Sequence, residues 1–156
     1  MKRVNSLQRV TNCLIIDGNY VLLLKKPRYG WYAMPGGKME YSESVKEAVI
    51  REVYEETGLQ IKSPELCSVA TMTKESASHP KDEWMMFTFK TKHFSGQMIE
   101  KSPEGILEWI HIDQLSTIPT APSDRFIHDY VFKKEQPLYA SFDLDSKDQL
   151  IDYRLG

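Results

Sequence analysis

Glu52, Glu55 and Glu56 stand three and four residues apart. In a helix those spacings stack side chains over one another, so the three carboxylates share one face and can reach one point. Ionising all three there is costly, because each negative charge disfavours the next. A hard divalent cation reverses the cost, since Mg²⁺ and Mn²⁺ take oxygen ligands and carboxylates supply them. The plainer reading of an isolated trio is a solvated acidic face. Arg51 stands beside the trio, and Lys38 and Arg28 are further cations upstream in the chain.

The element that must carry the trio is the clearest one in the chain. Ser44 and Glu47 have the spacing of a capping box. Val45, Ala48, Val49 and Val53 form an apolar stripe of helical period. Gly58 suits the left-handed residue after the helix, with Leu59 folding back. Glu47–Arg51 and Arg51–Glu55 are i,i+4 pairs. Upstream, Pro35-Gly36-Gly37 predicts a turn, and Trp31–Met34 a short strand.

Around this core the chain alternates element types. A hairpin is predicted about Asp17-Gly18-Asn19, and Val21–Leu24 reads as a strand buried on both faces. Further strands are expected at Leu66–Thr73, at WMMFTFKTKHF after a polar loop KESASHPKDE, and at GILEWIHI. PSDRFIHDYVF reads as a helix and LYASFDLDSKDQLIDYRL as a closing hairpin. Interleaved helices, strands and hairpins predict an α/β sandwich with a mixed sheet.

With 156 residues, 41% hydrophobic and 27% charged, residues 1–156 read as one globular domain. A net charge of -2 argues against bulk electrostatic binding to DNA or a membrane surface, although Lys25, Lys26 and Arg28 cluster locally, as do Lys133 and Lys134. Two cysteines, Cys13 and Cys67, are too few for a disulfide framework and point to a reducing compartment. No apolar run is long enough to span a bilayer, and the N-terminal stretch makes a poor signal peptide, so a cytoplasmic location is expected.

From Gly37 the chain runs five residues to Glu43, seven more to Arg51, and on through Arg51-Glu52-Val53-Tyr54-Glu55-Glu56-Thr57-Gly58-Leu59. This resembles the signature of the Nudix hydrolases, and every specified position matches. The resemblance implies an α/β/α sandwich with a mixed sheet and a loop–helix–loop motif. It also implies divalent-cation-dependent hydrolysis of a nucleoside diphosphate linked to another group. By position, Glu52, Glu55 and Glu56 match the metal-binding acids, one of them doubling as general base, with Glu52 named before Glu55. Arg51 matches the residue that orients a catalytic glutamate. Glu43 matches the signature's first acid, a support or a metal partner through water. Gly36 matches a glycine whose carbonyl can ligate metal, and Gly37 gives close backbone approach.

The remainder is similar to the branch of MutT-type and oxidised-purine nucleoside triphosphate pyrophosphohydrolases. That resemblance implies a further acid at Glu104, able to hold metal or act as base. It also aligns Ala121 and Asp124 with an aromatic and an acid that read an oxidised purine in some members. The aromatic is missing here, which puts oxidised-guanine recognition in doubt. Trp84, Trp31, Phe126 or Tyr32 could supply a stacking surface instead. The leading expectation is a purine nucleoside triphosphate cut to monophosphate and pyrophosphate. The 5′-triphosphate end of RNA, dinucleoside polyphosphates and nucleotide sugars are alternatives, and a catalytically silent nucleotide sensor is the non-enzymatic one.

Overall fold

A computed structural model describes residues 7–76 and 81–156. Its centre is the hairpin of β1 (Gln8–Asp17) and β2 (Tyr20–Lys25), closed by Gly18-Asn19 with Asp17 opposite Tyr20. Gly18 takes φ 60, the left-handed conformation such a tight loop requires. The mixed sheet runs β11-β10-β6-β7-β1-β2-β3, with β4 on β1 and β9 on β2. These strands are β3 (Tyr32–Ala33), β4 (Gly36–Lys38), β6 (Glu65–Glu75), β7 (Lys81–Thr91), β9 (Ile106–His111), β10 (Leu138–Leu144) and β11 (Leu150–Leu155). β1 pairs β7 in parallel and β10 pairs β6 in parallel, while the other pairings are antiparallel. β5 (Gln60–Lys62) and β8 (His93–Ser95) form a separate two-stranded ribbon.

Alternation along the central strands sorts the core into two layers. Leu14, Ile16, Val21 and Leu23 point to one face and pack with Ile127 and Val131 of α2 (Pro122–Val131). Cys13, Ile15 and Leu22 point to the other and pack with Val49 and Val53 of α1 (Val45–Thr57). Each such aliphatic side chain contributes about 1.5–3 kcal/mol on burial, so the sheet clamps both helices. Cys67 joins the α2 layer, and both cysteines are free thiols. This is the mixed α/β sandwich the pattern predicts, in the α/β/α arrangement the resemblance implies.

Three expectations are corrected. Gly36-Gly37 is strand rather than turn: Gly36 lies opposite Asn12, and Gly37 opposite Thr11. A side chain at Gly36 would collide with the Thr11 carbonyl and the Asn12 backbone, so only glycine allows β4 so near β1. The polar stretch KESASHPKDE is strand at both its ends, since β6 runs to Glu75 and β7 begins at Lys81, with residues 77–80 outside the described set. The short strand near Trp31 is confined to Tyr32–Ala33.

Candidate active site

The catalytic helix begins as its sequence dictates. The Ser44 hydroxyl accepts from the Glu47 N–H at 3.1 Å and the Glu47 carboxylate accepts from the Ser44 N–H at 2.8 Å, a complete capping box. Gly58, with φ 81, ends it and donates to the Tyr54 carbonyl at 2.9 Å. Because Glu47 serves the cap, it does not pair with Arg51, and of the two expected i,i+4 pairs only Arg51–Glu55 forms.

Arg51 is the hub of the acid cluster. Its Nε and Nη2 hold both oxygens of Glu43, at 2.7 and 2.9 Å. Nη1 donates to Glu52 Oε1 at 3.0 Å and to Glu55 Oε2 at 3.2 Å, and Nη2 reaches the Lys38 carbonyl at 3.2 Å. Glu40 lies 3.7 Å from Nη1. One planar guanidinium thus ties the loop after β4 to the helix, a geometry lysine cannot copy. Its hydrogen bonds hold the Glu43 carboxyl down at about 2, and Glu43 in turn raises Arg51 further above its ordinary value.

The other two acids face the glycine strand. Glu56 is 5% exposed, and its Oε2 accepts from the Gly36 N–H at 2.6 Å. Desolvation pushes its pKa up to about 7, opposed by that hydrogen bond and by the charge of Lys26, and aided by Glu52 and Glu104. Glu52 lies against Gly37, where a Cβ would come within 2.5 Å of Oε2 and 2.7 Å of Cδ. Burial raises its pKa too, against the pull of Arg51. Glu55, by contrast, stays half open, its side chain 54% exposed.

Among the described residues no three acids converge closely enough to hold a metal ion as they stand. Arg51 holds one oxygen each of Glu52 and Glu55, and the Gly36 N–H one oxygen of Glu56, which leaves a second oxygen on each acid. The donor set nevertheless fits a hard divalent cation. It offers carboxylate oxygens only, two of them on acids whose burial penalises unpaired negative charge, beside a glycine whose missing side chain leaves the Glu52 carboxylate its room.

The remaining candidates fall into three places. Glu104 sits exposed in the Ser102–Gly105 turn, near enough to add to the upward push on Glu56. Asp124, in the first turn of α2, is buried, and desolvation lifts its carboxyl to about 7 against the charge of Lys26. The charge of Lys26 thus acts on both Glu56 and Asp124. The sequence marks it only as one of a basic cluster, because nothing local in it says which acids the fold will bring. Lys38 contributes its carbonyl to Arg51 and leaves its side chain exposed. Arg28 lies over the Tyr29 ring, 5.3 Å from its centroid. Trp84 is half-buried against the α2 layer, opposite Met72 and Gln8. Phe126 packs on Tyr153 and Phe142, with centroids 4.5 and 6.0 Å away, so the structure gives its ring a packing role at the β10–β11 hairpin. Tyr32 has its phenol bonded to Glu108 and Lys25 Nζ 5.7 Å from its ring centroid.

Compared with known proteins, residues 6–132 match the model of the NUDIX domain. The chain belongs to the Nudix family. As a Nudix hydrolase it has the general activity of that class, pyrophosphohydrolysis of a nucleotide substrate. It is 44% identical over 149 residues to the uncharacterized Nudix hydrolase YvcI of Bacillus subtilis, covering 96% of this chain and 94% of that one. Its fold superposes on the crystal structure of the mMutator MutT protein from Bacillus halodurans with TM-score 0.91 and 45% identity, covering 96% and 97% of the two chains. It is also 32% identical over 114 residues to the NAD-capped RNA hydrolase NudC of Stutzerimonas stutzeri, matching 70% of this chain but only 38% of that longer protein. No helix among the described residues is long and apolar enough to cross a membrane.

Proposed function

We propose that this Nudix hydrolase cleaves a purine nucleoside 5′-triphosphate to the monophosphate and pyrophosphate, with Mg²⁺ or Mn²⁺ held by Glu52, Glu55 and Glu56. The Gly36 carbonyl, Glu43 and Glu104 are further partners for the ion. The observation that carries the reading is the pressing of Glu52 and Glu56 onto Gly37 and Gly36, with Arg51 fixing Glu52 from behind. A bound divalent cation supplies charge withdrawal from phosphorus and a lowered pKa for water. Glu52 is the preferred general base. Its Oε1 is anchored by Arg51, Oε2 is left to accept a proton from water, and its raised pKa makes it a stronger acceptor. Arg51 keeps its charge throughout and orients the acids rather than exchanging protons. Lys26, Lys38 and Arg28 offset phosphate charge.

Asp124 supports a purine. A buried carboxyl lifted to about 7 presents a hydrogen-bond donor as well as an acceptor near neutrality, which matches the mixed edge of a purine ring. Ala121 offers no ring beside it, so discrimination for oxidised guanine is expected to be weak.

Purified protein with Mg²⁺ or Mn²⁺ is to be offered canonical and oxidised dNTPs, Ap4A, ADP-ribose and 5′-triphosphorylated RNA, with products identified by chromatography. The expected result is monophosphate and pyrophosphate from purine nucleotides. Turnover that survives both Glu52→Gln and Glu56→Gln would overturn the assigned site.

A further inference from the structure

The mixed sheet ends at β11, whose outer side meets no other strand among the described residues. An open edge is a template for pairing, and chains ordinarily blunt it with proline, lysine or a covering element. β11 reads Leu150-Ile151-Asp152-Tyr153-Arg154-Leu155, with neither proline nor lysine, and is exposed from Ile151 onward. A bulge breaks its register with β10 near the start, at Asp143/Leu144, and from Asp152 to Leu155 the pairing is unbroken.

That register sets the direction of each backbone group. The Gly156 N–H bonds the Tyr139 carbonyl at 2.8 Å, so by alternation Arg154 and Asp152 also turn their backbone groups to β10. Tyr153 and Leu155 therefore turn their N–H and C=O outward. The acceptor of the Tyr153 N–H agrees, being the Asp152 carboxylate at 2.9 Å and not a carbonyl of β10. Side chains sort by the same alternation. Tyr153 lies opposite the buried Phe142, on the α2 side, and Asp152 and Arg154 point to the other side. Asp152 stands opposite Asp143, a like-charge pair that weakens a ladder, so no cation faces it from β10. Arg154 stands opposite Ser141 and donates to its hydroxyl at 3.1 Å.

These charges make the edge complementary to itself in one register. In an antiparallel pair, outward groups must meet outward groups, so a two-fold axis falls on a residue. An axis at Asp152 sets that acid against its own copy, and an axis at Arg154 does the same to the guanidinium. An axis beyond either leaves most of the strand unpaired. An axis at Tyr153 sets Asp152 against Arg154 and Arg154 against Asp152, with Tyr153 facing Tyr153 and Leu155 facing Ile151. There the Tyr153 N–H gains the Tyr153 carbonyl of the second copy, and the Asp152 carboxylate it releases gains a guanidinium. Ile151, Tyr153 and Leu155, about half exposed in the single chain, are then covered.

We infer that β11 pairs antiparallel with β11 of a second copy of this chain, about a two-fold axis at Tyr153, joining two sheets into one. The axis uses both edges, so the assembly closes at two copies. β10, β6 and β7 separate the seam from β1, so the acid cluster lies outside it.

Sedimentation equilibrium at protein concentrations up to about 100 μM, where an interface of ordinary strength is populated, tests the seam. Wild type should show a monomer–dimer equilibrium. Asp152→Arg and Arg154→Asp should each raise the dissociation constant about tenfold or more, because each sets like charges opposite one another on both sides of the axis. The double variant carrying both changes should return to within about threefold of wild type, since the two positions face each other. Leu155→Pro removes an N–H that its own sheet does not use, and should dissociate the dimer while the chain stays folded by circular dichroism. If a charge reversal unfolds the chain, Leu155→Pro and the protection of the Tyr153 amide from hydrogen exchange, rising with concentration, decide instead. A wild type that stays monomeric, or one that grows beyond two copies, overturns the seam. So does a dissociation constant indifferent to the single reversals or to Leu155→Pro, or a double variant as weak as the singles.

Discussion

Arg51 touches four acids and a backbone carbonyl, yet it is not among the groups that would meet phosphorus. Its worth lies in geometry. The side-on grip on Glu43 and the single nitrogen shared by Glu52 and Glu55 set the angle at which the acids enter the site. Arg51→Lys keeps the charge and loses the fork, so kcat should fall about 10–100-fold, the usual cost of removing a group that orients metal-holding side chains. The Glu43 carboxyl should rise from about 2 toward its ordinary value, observable by carbon NMR titration. An unchanged kcat alongside a raised Glu43 would show that the fork serves the loop and not the chemistry.

The two neighbouring glycines of β4 separate folding from catalysis at the scale of the element. An added methyl at Gly36 meets backbone, which cannot yield, whereas at Gly37 it meets the carboxylate end of the Glu52 side chain, which can turn aside. Gly36→Ala should therefore cost about 1–3 kcal/mol of stability and lower the melting temperature. Gly37→Ala should melt near wild type but lose about tenfold or more in kcat. Equal melting losses in both would refute the distinction. Ser44→Ala, which breaks the capping box, is expected to cost about 1 kcal/mol, read by urea unfolding. The helix was the most legible part of the chain, because its cap, stripe and terminal glycine are all local signals. The hairpins at Gly18 and at β10–β11 were legible for the same reason. Gly36-Gly37 was not, since its strand character depends on Thr11 and Asn12, more than twenty residues away. β5 and β8 are three residues each, too short for periodicity to register. Of the site, the shared face of Glu52, Glu55 and Glu56 and the Arg51–Glu55 pair could be read from spacing, whereas the parts given to Glu43 and Glu104 rest on the family resemblance. The part of Lys26 could not, because only the fold brings it to Glu56 and Asp124.

Across the whole molecule, buried acids make metal-free stability depend on pH. Glu56 is lifted from 4.5 to about 7 and Asp124 from 3.8 to about 7. Between those values the folded chain holds protons the unfolded chain has released, so stability falls as pH rises. His128, lowered from 6.5 to about 4 by burial, works in the opposite sense below its ordinary value. The decline should therefore be clear from about pH 6.5 to 8, and weaker below. Mg²⁺ at pH 8 should restore the melting temperature, because a ligand of the folded state alone stabilises it. Glu56→Gln should shrink the decline and abolish the rescue. A metal-free protein equally stable at pH 6.5 and 8 would contradict the burial argument, and a wild type indifferent to Mg²⁺ would contradict the ligand set. The two cysteines extend this to motion. Cys13 is sealed under the α1 layer and Cys67 under the α2 layer, 0% and 4% exposed, and burial drives both thiols upward, Cys67 to about 12. Neither can meet an alkylating reagent until its own layer lifts. The chain thus holds two built-in clocks, one per face of the sheet, and their alkylation rates would tell whether the catalytic helix opens alone or only when the whole sandwich comes apart.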